Sequence, residues 1–159
     1  MSITLSNPSI VVQASADVAS GLLSGEHTHR IAQTPSVGTS AGNVNLLAPY
    51  SFTLATGTPL SIDLTAAVDA GGNTVTFGHL THYVLENLST VSGENIAIGG
   101  GSNGVFTLDP TTAKPNGGAK FLADPNPGIV IDSTHKIVTL AAAAGTAVGG
   151  RITFYGRTT

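Results

Sequence analysis

Histidine is the residue in this chain best suited to metal or proton chemistry, and five occur among 159 residues. His27 and His29 flank Thr28. On a strand, positions i and i+2 share a face, so these two imidazoles could meet one metal ion. His79 and His82 stand three apart near the start of a strand, and His135 lies in a turn before another. A zinc or nickel centre needs a third and a fourth ligand, and nothing in the sequence points to them. The competing reading is of exposed or hydrogen-bonded imidazoles, so no metal site is expected.

Carboxylates are the next candidates. Asp17, Glu26, Asp63, Asp69, Glu86, Glu94, Asp109, Asp124 and Asp132 are scattered along the chain. A glycosidase needs two of them about 5–10 Å apart in a cleft, usually lined with aromatic rings. With no Trp, 3 Tyr and 5 Phe, stacking platforms for sugars are hard to assemble. Asp109, Asp124 and Asp132 adjoin Pro, Gly or Ser, where the side chain caps a turn. Among serines no G-x-S-x-G elbow occurs, and Gly99 to Gly104 (GGGSNG) lacks the strand–turn–helix setting such an elbow needs. No G-K-[ST] follows that stretch, so it is not a phosphate loop. Asn87-Leu88-Ser89 matches a glycosylation acceptor, which has meaning only in a secreted chain. The expectation is a protein that is not an enzyme, with no catalytic residues, no cofactor-binding residues and no metal ligands.

Composition narrows the class further. Charged residues make up 9% of the chain and hydrophobic residues 41%. Average soluble domains carry about 25% charged residues. Ser, Thr, Asn and Gly supply the missing polarity without ionising. Disorder is disfavoured, because disordered chains are apolar-poor and charge-rich. Six basic against nine acidic residues give a net charge of −3 with no basic cluster, which argues against nucleic-acid binding. The absence of Cys excludes disulfides and thiolate metal sites. No apolar run is long enough to span a membrane as a helix. The N-terminal stretch lacks the charged and apolar regions of a secretory signal, so synthesis in a cytoplasm is expected. Mean hydropathy is positive. Apolar surface with few ions to solvate it suggests burial against partners, and a well-packed monomer coated in Ser and Thr is the alternative.

The elements that would position these residues read as strands. Helix formers are scarce and Gly, Pro and Thr interrupt the chain every few residues. Only Ala14 to Leu23 and Leu64 to Ala70 could be helical, each as a single turn or a loop. Strands are expected at Ser9 to Ala14, Ser51 to Thr56, Leu60 to Leu64, Leu80 to Leu88, Glu94 to Ile98, Val105 to Leu108, Ala119 to Ala123, Ile129 to Asp132, Lys136 to Ala142 and Gly149 to Gly156. Ser89 to Gly93 supplies turn residues, so the strands on either side of it should form a hairpin. Gly71-Gly72-Asn73 and Gly117-Gly118 should provide positive-φ turn positions. Turn clusters recur about every ten residues, the spacing of a sandwich or barrel. No α/β alternation is present. The expected fold is all-β: an antiparallel β-sandwich, jelly-roll-like, of about eight strands over residues 46–159. Residues 1–45 should form an N-terminal strand and an extended arm. Within them Ser24 to Asn45, polar and weakly periodic, reads as an extended arm or long loop.

Two stretches carry a family resemblance. His79 to Gly100 (HLTHYVLENLSTVSGENIAIGG) and Gly128 to Gly156 (GIVIDSTHKIVTLAAAAGTAVGGRITFYG) resemble elements of small tailed-bacteriophage virion proteins. The matching residues are Val84 to Asn87, Ile96 to Gly100, Ile131 to Leu140 and Ile152 to Gly156. The resemblance is to head decoration, or cement, proteins with a jelly-roll-like sandwich. It covers about two-thirds of the chain, rests on turns and strand pairs, and leaves the N-terminal arm unmatched. It implies a structural virion protein on the outer capsid surface. Its partners would be further copies of itself, as a homotrimer, and the major capsid protein, with no nucleic acid and no membrane. A tail or fibre-type host-recognition module that binds glycans through Gly99 to Gly104 and Thr111 to Gly118 is the alternative, and a small β-sandwich hydrolase is the remotest.

Overall fold

The computed structural model describes residues 10–20, 23–33, 36–41, 43–106, 112–123 and 127–158. In chain order the strands are β1 (Ile10–Ser20), β2 (Leu23–Gln33), β3 (Ser36–Val37), β4 (Asn43–Val44), β5 (Leu46–Leu54), β6 (Leu60–Asp63), β7 (Ala67–Val68), β8 (Thr74–Val75), β9 (His79–Asn87), β10 (Ile96–Ile98), β11 (Ala119–Ala123), β12 (Ile129–Val130), β13 (Ile137–Ala142) and β14 (Val148–Arg157). The protein is all-β, as the turn spacing requires.

Two antiparallel sheets form the sandwich. One has the order β11-β9-β14-β5, with β12 continuing along β9 beyond β11, and the other has the order β10-β13-β6. Period-two patterning sets which face each strand buries. On β13, Val138, Leu140 and Ala142 are buried while Ile137, Thr139 and Ala141 are half-buried. On β14, Ile152 and Phe154 are fully buried. Those side chains join Leu85 of β9, Ile62 of β6 and Ile98 of β10 in a single apolar cluster between the sheets. Tyr50 meets Phe154 edge-on with ring centroids 6.0 Å apart, a favoured aromatic geometry.

β9 departs from strict alternation, because Leu80, Thr81, His82 and Tyr83 are all buried. The cause is a β-bulge. Tyr155 pairs with His82 while Gly156 pairs with Leu80, which leaves Thr81 as the extra residue. The Thr81 hydroxyl donates to the Tyr155 carbonyl at 3.0 Å. The inserted residue lets both Leu80 and Tyr83 reach the core, which a regular strand would place on opposite faces. Gly156 sits at this irregularity, where a Cβ would run into the His79 carbonyl and the Phe77 ring.

Several expectations need correction. Ala14 to Leu23 is not helical: β1 runs through Ser20, paired residue by residue with β2. The single turn allowed for at Leu64 to Ala70 is present as a 3-10 turn, Leu64–Ala66, with Asp63 accepting from the Thr65 amide at 2.9 Å. Strands β9 and β10 do not form a hairpin; β10 pairs with β13 in the opposite sheet. Turn residues at Ser89 to Gly93 signal that the chain reverses, not which sheet it joins. Here the Asn87 amide donates to the Glu94 and Ala113 carbonyls at 2.7 and 3.0 Å, pinning a corner between the sheets. Of the expected strand at Val105 to Leu108, Val105 and Phe106 form a bend beside an isolated bridge between Gly104 and Ile137, and residues 107–108 lie outside the described residues. Ser24 to Asn45 holds most of β2, then β3 and β4, where an arm or long loop was expected.

β1 and β2 form a two-stranded ribbon that, among the described residues, pairs with no other strand. Its base is held differently. Val44 is fully buried, and the Asn45 amide donates to the Gly156 carbonyl at 2.9 Å. The Arg157 guanidinium donates to the carbonyls of Thr39 and Pro127 at 3.2 and 3.0 Å. The root of the hairpin is thus tied to the end of β14, while the hairpin itself is not.

Candidate functional site

Each histidine falls in a different setting. His27 and His29 lie on β2, opposite Ala16 and Ala14, at positions of one face, as the spacing requires. Among the described residues no three His, Asp or Glu side chains gather where an ion could sit. His79 and His82 are separated by the bulge. His82 is 3% exposed and its Nδ1 lies 3.0 Å from the Thr81 hydroxyl oxygen. His79 is half-buried, and its Nδ1 has no hydrogen-bond partner. Burial first, and Arg157 second, lower its pKa below the usual 6.5. His135 stands in the turn that Asp132 caps.

Among the carboxylates whose side chains are described, Asp132, Asp69, Asp63, Glu86 and Glu94 each accept a hydrogen bond or ion pair from within the chain. Asp132 accepts from the Thr134 amide and hydroxyl and from the His135 amide, at 2.7 to 2.8 Å. These bonds, led by the Thr134 amide, lower its pKa to about 2. Asp69 caps the next turn, accepting from Gly71 and Asn73. Burial pushes the Asp63 pKa up, but hydrogen bonds from Lys136 and Thr65 outweigh it and leave the group lowered. Glu86 pairs with Arg151 at 2.9 Å, and Glu94 accepts from the Ser89 hydroxyl at 2.5 Å. The turn role expected of Asp132 is present, while Asp109 and Asp124 lie outside the described residues.

A cleft of about 520 Å³ opens between Thr65, Phe77, Asp132 and Lys136. Its ionised groups are engaged within the protein: the Lys136 ammonium lies 2.7 Å from Asp63, and Asp132 holds its own turn. Ordering them this way fixes loops.

Two surfaces remain. The first is the outer face of the five-stranded sheet. One register row across it reads Phe121, Val84, Thr153, Pro49, and the next brings Tyr155 beside Leu47. Phe121 is 40% exposed. Burial, with Glu86 as the second cause, raises the Tyr155 pKa. The second is the ribbon. Its register places Ile10, Val12, Ala14, Ala16 and Val18 at positions of one face, paired with Gln33, Ile31, His29, His27 and Gly25. The other face carries Gln13, Ser15 and Asp17 opposite Arg30, Thr28 and Glu26. Reading for chemistry missed both surfaces. The signal was the alternation of Ile10, Val12, Ala14, Ala16 and Val18, hidden by reading the second half as a possible helix.

No known family, curated protein or solved structure matches this chain.

Proposed function

We propose that this is a non-catalytic assembly protein of a virion, a capsid decoration protein that binds the outer head surface and reinforces contacts between capsid subunits as a homo-oligomer, with three copies as the resemblance implies. The jelly-roll-like description and the capsid location both come from that resemblance. The observation that supports the reading is the ribbon β1–β2, whose register sets apolar and polar sequence positions on alternate faces and which, among the described residues, pairs with no other strand. A two-stranded ribbon is marginally stable alone in water, so it gains its order from a surface outside its own chain. Low charge suits such a role, because neutral surfaces can be buried without desolvating ions. Many identical copies on one shell then turn a weak contact into a firm one.

The test is co-sedimentation of the purified protein with undecorated tailed-phage heads. Saturable binding that raises the temperature of head disruption is expected. Absence of binding across heads of several types would overturn the reading.

A further inference from the structure

Asparagine precedes glycine at two places in this chain, Asn103-Gly104 and Asn116-Gly117, and nowhere else. We infer that Asn116 is a site of spontaneous deamidation and isoaspartate formation, and that the fold shields Asn103 from the same reaction. The reaction needs nothing from a capsid or a partner, so it stands apart from the proposed function.

The chemistry is internal to the dipeptide. The Gly117 backbone nitrogen attacks Cγ of Asn116 and a carbon–nitrogen bond forms. The Cγ–Nδ2 bond breaks, and the side-chain nitrogen leaves as ammonia, carrying the proton lost from the Gly117 N–H. The product is a succinimide ring. Water then opens the ring at either carbonyl. Attack at Cγ gives aspartate. Attack at the backbone carbonyl gives isoaspartate, whose main chain runs through the former side chain. Each route loses ammonia and gains water, so no oxidant or cofactor enters. Glycine favours the first step because no Cβ crowds its nitrogen.

The two sites share a backbone class, with φ 55° at Asn103 and 63° at Asn116, and both asparagines are exposed. What surrounds them differs. The attacking nitrogen lies in the same peptide plane as the asparagine's own carbonyl, so that plane must turn to bring the nitrogen to Cγ. At Asn103 the carbonyl accepts from the Lys136 and Ile137 amides at 3.0 and 2.9 Å. Gly104 bridges to Ile137, and a Cβ there would lie 3.0 to 3.3 Å from the carbonyl oxygens of Gly100, Phe106 and Gly101. At Asn116, among the described residues, no amide donates to the carbonyl. Gly117 is exposed, with nothing within 4 Å of where its Cβ would stand. Two hydrogen bonds that must break only at Asn103 should slow ring closure there at least about tenfold.

The product matters to the fold. The Asn116 amide donates to the Ser89 carbonyl at 2.6 Å, and the Gly118 carbonyl accepts from the Asn87 amide at 2.9 Å. Residues 116–118 therefore clasp residues 87–89 at both ends. Aspartate keeps the length of the main chain and can keep both bonds. Isoaspartate adds one carbon between them, so one bond must distort or break. Asn87 also pins the corner between the sheets, and that corner should loosen as isoaspartate accumulates.

The test incubates purified full-length protein at neutral pH and body temperature, then follows digested peptides by mass spectrometry. A gain of one dalton at Asn116 is expected, at least about tenfold faster than at Asn103. An isoaspartyl methyltransferase should label part of the product. In denaturant the two asparagines should react at similar rates, and Asn116→Gln should abolish the gain at that position alone. An Asn116 that gains no mass in the folded chain, a rate at Asn103 that equals or exceeds it, or the same rate ratio with and without denaturant would overturn the inference. Hydrogen exchange reads the clasp separately. The Asn87 amide should exchange faster in the isoaspartate fraction than in Asn116→Asp, and equal exchange in the two would overturn the loosened corner.

Discussion

β14 and β1 are nearly equal in length, at ten and eleven residues, and differ in what holds them. β14 is hydrogen-bonded on both sides, to β9 and β5, and sends Ile152 and Phe154 into the core. β1 pairs with β2 alone among the described residues. Pairing alone gives a strand its shape; a covered face gives it its stability. The same chain therefore holds one strand bonded on both sides and anchored in the core, and one bonded on a single side.

Truncation on the two strands should show this most sharply. Phe154→Ala removes a fully buried ring and should cost about 3–5 kcal/mol, read from denaturant unfolding of the sandwich. Val12→Ala should change the unfolding of a dissociated chain by less than about 0.5 kcal/mol. Equal losses would erase the contrast.

Next in size is Gly156→Ala. Its Cβ meets the His79 carbonyl and the Phe77 ring, and a backbone oxygen cannot move aside cheaply. A loss of about 1–3 kcal/mol is expected by the same measurement. Gly25→Ala on β2 should show nothing comparable in the dissociated chain.

A smaller effect depends on pH. The folded-state pKa of His79 lies below 6.5, so the unfolded chain takes up a proton first as pH falls. Stability should drop from about pH 6.5 down to the lowered value and then level off. His79→Gln should flatten that slope, while the separate loss expected below pH 3.8 from Asp63 and Asp132 persists. An unchanged slope in thermal melts between pH 7 and 5 would refute the assignment.

The smallest effect belongs to the outer face. Glu86 and Arg151 are an exposed pair, and Arg151→Ala should change stability by about 0–1 kcal/mol, less still in high salt.

Much of the sandwich could be read in advance because its strands announce themselves locally. Leu60 to Leu64 and Lys136 to Ala142 alternate with period two, and the chain obeys. What failed was information the sequence holds only non-locally. Ser89 to Gly93 marks a reversal, but whether Ile96–Ile98 returns to β9 or crosses to β13 depends on which face of the core still needs Ile96 and Ile98. Ala14 to Ser20 has small residues that suit either a helix or a strand, and only its partner β2 decides. On the candidate site, the turn role of Asp132 could be read from its neighbours. The outer row of Phe121, Val84, Thr153 and Pro49 could not, because its four residues come from four separate strands.

The tie between Arg157 and Thr39 joins residues 118 positions apart in the sequence. During synthesis the ribbon emerges first, and its footing waits for a residue 118 positions after Thr39. The centre of the larger sheet, β14, arrives equally late. A chain interrupted before β14 therefore lacks both the ribbon's footing and the middle of the larger sheet.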